Sequence, residues 1–343
     1  MIQRFSKIGF LFFVLWMLLF QSCHKVEVFE DDPCGNFDAL WTILDERYCF
    51  FEYKEIDWNQ IREKYRKKLT ADMTSEELFD VCDAMLMELK DGHVNLTAAH
   101  NTSRYWEWLY GSPENYQERI IDEFYLNFDY RYTSGIKYKI LPQNVGYMYY
   151  GSFSSTIGEG NLDQILAYLS TSTGLIIDVR SNGGGSLSNV ETLVSRFINE
   201  ETLVGYISHK TGPGHQDFSE LYPVKYSPSN RIRYQKPVVI LANRGTFSAA
   251  NNFVSVMKSL PNVVIMGDCT GGGSGLPFSS ELPNGWIIRF SASPIYDVNC
   301  QHTEFGVEPT EGFKIDMNLE QAQEGKDTIL DTAIAYISGL AVG

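Results

Sequence analysis

KPVVILANRGTFSAANNFVSVM, residues Lys236–Met257, runs from an apolar strand (Pro237–Leu241) through a short polar turn into a helix (Phe247–Leu260). Ser248 stands in the first turn of that helix, where free backbone N–H groups and the positive end of the helix dipole converge. A hydroxyl there serves either as an N-cap or as a nucleophile. Its sequence neighbourhood cannot choose between the two, so the rest of the chain has to.

Outward from this unit the same alternation continues. Strand Gly146–Tyr150, helix Leu162–Leu169, strand Gly174–Val179 and helix Leu187–Ile198 precede it, and strand Val263–Gly267 follows. Strands separated by helices imply right-handed crossovers and a mainly parallel sheet, hence the α/β class. Leu276–Leu282 and Trp286–Ser291 read as a hairpin turning at Pro283–Gly285, and Asp327–Ile337 as a closing helix.

Ahead of the sheet, three helical segments are expected. Asn36–Tyr48 puts Phe37, Leu40, Trp41 and Leu44 on one face, and Trp58–Leu69 is more polar. Thr74 opens a capping box with Glu77, and Leu78, Val81, Met85 and Leu89 carry the helical stripe on to Lys90. Residues 101–142 are rich in tyrosine and tryptophan, which suits aromatic packing between domains or one wall of a substrate groove.

The N-terminus carries Arg4 and Lys7, then the apolar run Gly9–Phe20 and Gln-Ser-Cys at 21–23. The run is too short to span a bilayer and suits the h-region of a secretory signal. Its end before Cys23 resembles a bacterial lipoprotein signal, which predicts lipidation of Cys23; plain secretion with Cys23 removed is the alternative. The organisation expected is a signal over 1–22, a tether over 23–35, a helical N-terminal domain over 36–100, an aromatic connecting segment over 101–142 and a catalytic domain over 143–343. A net charge of −15 argues against nucleic acid and against anionic lipid as partners. The remaining cysteines, Cys34, Cys49, Cys82, Cys269 and Cys300, are odd in number and show no framework spacing, so pairing stays open. No Cys/His cluster points to a metal, and no motif points to a cofactor.

A nucleophilic serine needs a base, a group that orients the base, and donors for an oxyanion. His93 is the candidate base: it follows a helix through a tight Asp91-Gly92 turn, a constraint the other five of the six histidines lack. Asn182-Gly183-Gly184-Gly185 follows the strand GLIIDVRS, and glycines at that junction turn amides into the space above the strand ends. A phosphate cradle is the rival use, but the Lys-Ser/Thr of a P-loop and dinucleotide spacing are missing. The oxyanion donors expected are the amides of Gly184 and Ala249. Glu304 is the candidate orienting carboxylate, with Asp91 its competitor.

Taken in order, LKDGHVNL, GLIIDVRSNGGG, PVVILANRGTFSAANNF, VVIMGDCTGGGSGLPFSSELPNGW and EFGVEPT resemble the serine peptidase family of C-terminal processing (tail-specific) proteases, from about Phe37 to the C-terminus. The resemblance implies a ClpP/crotonase-like spiral of ββα units with a small helical N-terminal domain. In the Ser–Lys branch a lysine lies in a GxxTxGK block; here Gly273 stands in its place. The chain is instead similar to the tricorn-core and retinoid-binding-protein branch, in which a histidine is the base and a glutamate completes the relay. That similarity implies the roles of nucleophile, base and relay for Ser248, His93 and Glu304, and of oxyanion donors for Gly184 and Ala249. Gly92 departs from the tricorn core, which has a serine there, and Asn251 replaces the glutamate of the usual SAAE. No room remains for a PDZ insert. The function expected is an envelope-anchored serine endopeptidase of a Gram-negative-type bacterium, acting on peptide or protein substrates. The alternative is an inactive member that binds a hydrophobic ligand or a peptide.

Overall fold

Residues 28–340 are described by the structure, a computed structural model; the segment expected to be a signal and Cys23 lie outside the described residues. A six-stranded sheet runs in the order β2 (Arg131–Thr133), β3 (Ile136–Ile140), β4 (Gly146–Tyr150), β5 (Leu175–Asp178), β8 (Val238–Ala242), β9 (Val263–Gly267). Neighbours from β4 to β9 are parallel, whereas β2, β3 and β4 are antiparallel. The sheet is therefore mixed, with its parallel part where the alternation of strands and helices predicted it.

Strand β8 is buried at every position. Val238, Ile240 and Ala242 pack with helices Glu159–Leu169, Leu187–Val194 and Ala249–Lys258 on one face. Val239 and Leu241 pack with Ile329, Leu330 and Ala333 of the C-terminal helix Thr328–Leu340 on the other. Burial on both faces is why this strand reads as an unbroken apolar run instead of an alternation.

A second, antiparallel sheet is built around β11 (Ile287–Tyr296), which pairs with β1 (Asn95–Thr97), β10 (Gly275–Glu281) and β6 (Thr202–Ile207); β6 in turn pairs with β7 (Tyr222–Tyr226). The hairpin read from the sequence is the β10–β11 part of this sheet. Helices Pro33–Arg47, Trp58–Arg66 and Ser75–Met87 pack on it, with Phe37, Leu40, Leu44, Phe79 and Met85 sharing a core with Trp286, Ile288 and Phe290. The Thr74–Glu77 capping box has both of its hydrogen bonds. The aromatic segment divides: Tyr116, Tyr125 and Tyr130 pack against the main core, while Tyr105, Trp106 and Trp108 line a cavity. Among the described residues the five cysteines are all unbridged, and no helix is long and apolar enough to cross a membrane.

Candidate active site

The turn after β8 delivers Ser248 with φ 58° and ψ −122°, in backbone space that favours glycine. Such a conformation stores roughly 1–3 kcal/mol, and it persists only where the surroundings enforce it. They do so here: the Ser248 amide donates to the Gly272 carbonyl at 2.8 Å, and its carbonyl accepts from Asn252 N at 2.9 Å. The Ser248 side chain makes no capping hydrogen bond, so the N-cap role is not taken. Its Oγ lies instead 2.9 Å from His93 Nε2, across 155 residues of sequence.

His93 is held from behind by Asp91, whose Oδ1 accepts from the His93 main-chain N–H at 2.7 Å. Asp91 Oδ2 accepts from Tyr48 Oη and from Ser291 Oγ, each at 2.9 Å, and lies 3.5 Å from Lys54 Nζ. Burial of the imidazole pulls the His93 pKa down to about 4; Asp91 opposes this, while Arg289 and Lys54 add to it. The ring is neutral at physiological pH, the form a base requires. Burial also pushes the Asp91 carboxyl up, but Lys54, His93 and the hydrogen bonds outweigh it and the net shift is downward.

Glu304 does not meet the His93 ring. Its Oε1 accepts from Lys54 Nζ at 2.9 Å and its Oε2 from Ser274 N at 2.8 Å. Among the described residues His93 Nδ1 has no side-chain partner; the Gly275 backbone acts as an acceptor toward the ring. The expected direct contact from Glu304 is therefore replaced by a chain, Glu304–Lys54–Asp91, that reaches the His93 backbone. Lys54 also donates to the Leu89 and Lys90 carbonyls, which ties it to the end of the helix before Asp91. Burial, then the charge of Asp91, pushes the Glu304 carboxyl up to about 7 despite Lys54. Lys54 carried no sequence signal: it sits in FEYKEIDW, far from every glycine motif.

The amide of Gly184 is engaged, contrary to expectation. It donates to Asn182 Oδ1 at 2.9 Å, an Asx-type contact that the Asn-Gly-Gly-Gly spacing permits. The Ala249 amide has no acceptor among the described residues. Gly184 has φ +97°, and a Cβ on it would lie 2.8 Å from Ser248 Cβ and 2.9 Å from Ala249 N, so only glycine brings this turn so close to the serine. A cavity of about 320 Å³ opens at Ser248 and Ala249, bounded by Gly185, Asn252 and Gly273–Pro277.

Three departures noted in the sequence acquire reasons. A Cβ on Gly92 would stand 2.8 Å from Trp108 Nε1 and 2.9 Å from Phe247 Cζ, so the Trp108–Phe247 stack (centroids 4.4 Å apart) fills the space a serine would need. Gly273 has φ +78° and its Cβ would meet the Phe247 ring at 2.5 Å, which excludes a lysine. Asn251 is buried; it donates to Thr303 and accepts from Thr270 Oγ1 at 2.6 Å, pinning the helix to the strand end. No cluster of metal ligands exists among the described residues.

Residues 144–312 match the model of peptidase family S41, and residues 29–87 match that of the tricorn protease C1 domain. A crystal structure of a Parabacteroides merdae protein is 49% identical, with a TM-score of 0.85 over 90% of this chain and 97% of that one. The carboxy-terminal processing protease CtpB of Bacillus subtilis is 26% identical over 209 residues, 55% of this chain and 41% of that protein, so the chain spans under half the length of this relative. The tricorn protease, at 16% identity and a TM-score of 0.56, covers 91% of this chain and 37% of its own, a likeness of fold alone. With the helical front end and the sheet each matched in order, the chain belongs to peptidase family S41.

Proposed function

We propose that the chain is a serine endopeptidase working through an acyl-enzyme on Ser248. The observation that carries this is the 2.9 Å contact of Ser248 Oγ with a buried, neutral His93 Nε2. His93 takes the hydroxyl proton as Oγ attacks the peptide carbonyl carbon. The oxyanion is received by the Ala249 amide, with the Gly184 amide joining once Asn182 releases it. Protonated His93 then gives its proton to the leaving amine, leaving an ester on Ser248. Water, deprotonated by His93, cleaves that ester and restores both groups.

In this reading Asp91 and Lys54 are positioning residues. Asp91 fixes the His93 backbone and its charge favours the imidazolium that forms, while Lys54 keeps Asp91 ionised. Glu304 acts at one remove, through Lys54. We further propose the ClpP/crotonase-like description of the fold and envelope anchoring through Cys23, which rests on the leader sequence; a Cys23→Ser variant losing incorporation of labelled fatty acid tests the anchor.

A fluorophosphonate probe should label Ser248, and mapping of the modified peptide identifies the residue. Ser248→Ala should lower kcat/KM on cleaved peptides by about a thousandfold or more with an unchanged melting curve. Peptidase activity surviving in that variant removes Ser248 as nucleophile. Absence of labelling, together with saturable uptake of an apolar ligand, favours the binding module instead.

A further inference from the structure

One charged group near Ser248, Arg289, makes no hydrogen bond to the Ser248 hydroxyl or the His93 ring and acts on the imidazole only through its charge. Arg289 lies on β11 directly across from Asn95 of β1 and Ser279 of β10. Residues paired across antiparallel strands share a face, and all three line a cavity of about 610 Å³ whose other walls include Tyr105, Trp106, Trp108 and Phe247. Arg289 also borders the smaller cavity that holds Ser248. Its guanidinium is half-buried, yet its hydrogen bonds are long: 3.5 Å to the His93 carbonyl and 3.4 Å to Asn95 Oδ1.

The two fully buried arginines, Arg180 and Arg196, are each paired with two carboxylates. Arg289 has none within ion-pair distance among the described residues, in a chain of net charge −15. The part-buried Arg244 also lacks a carboxylate, but its donors are taken at short range by the Trp108 and Thr270 carbonyls, at 2.6 and 2.9 Å. Burying a five-donor fork without an acid partner is costly, and the cost is recovered when an anion docks on it. Arg104, on the rim of the same cavity, adds a second cation. Aromatic walls with a cationic floor suit a ligand that is apolar in body and carries a carboxylate.

We propose that Arg289, seconded by Arg104, binds a carboxylate of the substrate peptide whose apolar neighbour fills the aromatic cavity. The carboxylate comes from an acidic side chain or from the peptide's own C-terminus. Cleavage of such peptides rests on the peptidase reading above; their binding does not.

The test uses the Ser248→Ala protein and three matched peptides with one bulky aromatic residue, followed by isothermal titration. The first ends in a free carboxylate and has no acidic side chain; the second is amidated and carries glutamate; the third is amidated and carries glutamine. One of the first two should bind roughly ten- to a hundredfold more tightly than the third, the range for a charge-assisted hydrogen bond. Which one wins identifies the source of the carboxylate. Arg289→Gln should bring that ratio near one, and Arg289→Lys should keep part of it, since an ammonium supplies charge without the fork. Equal binding of all three peptides, or a ratio unmoved in Arg289→Gln, overturns the proposal. Should Arg289→Gln not fold, the three-peptide ratio and Arg289→Lys decide. A preference that persists where Ser248 resists fluorophosphonate sinks the peptidase and leaves the carboxylate site standing.

Discussion

Arg180 lies between Asp178 and Asp327, and Lys54 between Asp91 and Glu304; each is a buried cation flanked by two carboxylates. The Arg180 cluster is saturated. Asp178 accepts from Arg180 Nε and Nη2 and from Tyr147 Oη, while Asp327 accepts from Arg180 Nη1 and from the amides of Ile329 and Leu330. It locks the end of β5 to the C-terminal helix. The Lys54 cluster is looser, with one ion pair at 3.5 Å, a carboxyl pushed up to about 7, and a neighbouring imidazole whose Nδ1 has no side-chain partner among the described residues. Saturated polar networks hold shape; the incompletely satisfied one sits where the proposed reaction requires charge to change.

Breaking the saturated cluster should have the largest effect on stability. Arg180→Met leaves two buried carboxylates facing each other and should cost about 3–5 kcal/mol, read as a lower midpoint in urea with an unchanged slope. A loss under 1 kcal/mol would show that the cluster is not the rigid one.

Lys54→Met should cost less, about 1–3 kcal/mol, because Glu304 already titrates near 7 and can take up a proton. Its signature is kinetic. Lys54 helps hold the His93 pKa down near 4, so its removal should move the acid limb of kcat/KM to higher pH. A purely structural lysine would lower stability and leave that limb where it was.

Glu304→Gln sharpens the contrast further. The folded pKa near 7 lies above the 4.5 of a free carboxyl, so between those values the folded chain holds a proton that the unfolded chain has lost. The contribution of Glu304 to stability therefore falls as pH rises through that window. His93 works the other way: its folded pKa near 4 lies below 6.5, and its contribution grows as pH rises from about 4 to 6.5. With Glu304 replaced, the variant's Tm should climb relative to the parent between pH 4.5 and 7, by roughly a few degrees. A constant offset across that range would contradict the raised pKa.

The same contrast separates what the sequence discloses from what it hides. The strand–turn–helix at 236–257, the capping box and the Asp91-Gly92-His93 turn are local, so their residues announce them. The pairing of Ser248 with His93 was readable because each stands at the end of such a unit. Lys54 and Arg289 were not, since their meaning comes from partners 250 and 196 residues away. Glu304 was found as a candidate, but its real partner is set by packing of the front helices against β11. That the Gly184 amide is engaged in the free protein is hidden for a smaller reason: the Asn182 side chain two residues before it takes the same hydrogen. Strands β1, β6 and β7 are short and mixed in polarity; β11 gives β1 and β6 their register, and β6 gives β7 its own.

Strain at Ser248 offers the smallest effect and the most local test. Its φ of 58° and ψ of −122° suit glycine, and the helix start, the Gly272 contact and the Asn252 bond hold it there. A residue kept in such a conformation for chemistry should be replaceable by glycine with a gain in stability. Ser248→Gly should raise stability by about 1 kcal/mol while abolishing fluorophosphonate labelling, and Ser248→Ala, which keeps the Cβ, should give no such gain. The Arg180 cluster is the control: no positive φ occurs at Asp178, Arg180 or Asp327, so glycine at any of them should only destabilise. If Ser248→Gly is less stable than Ser248→Ala, the turn is relaxed, and the line drawn between a strained site and a saturated scaffold disappears.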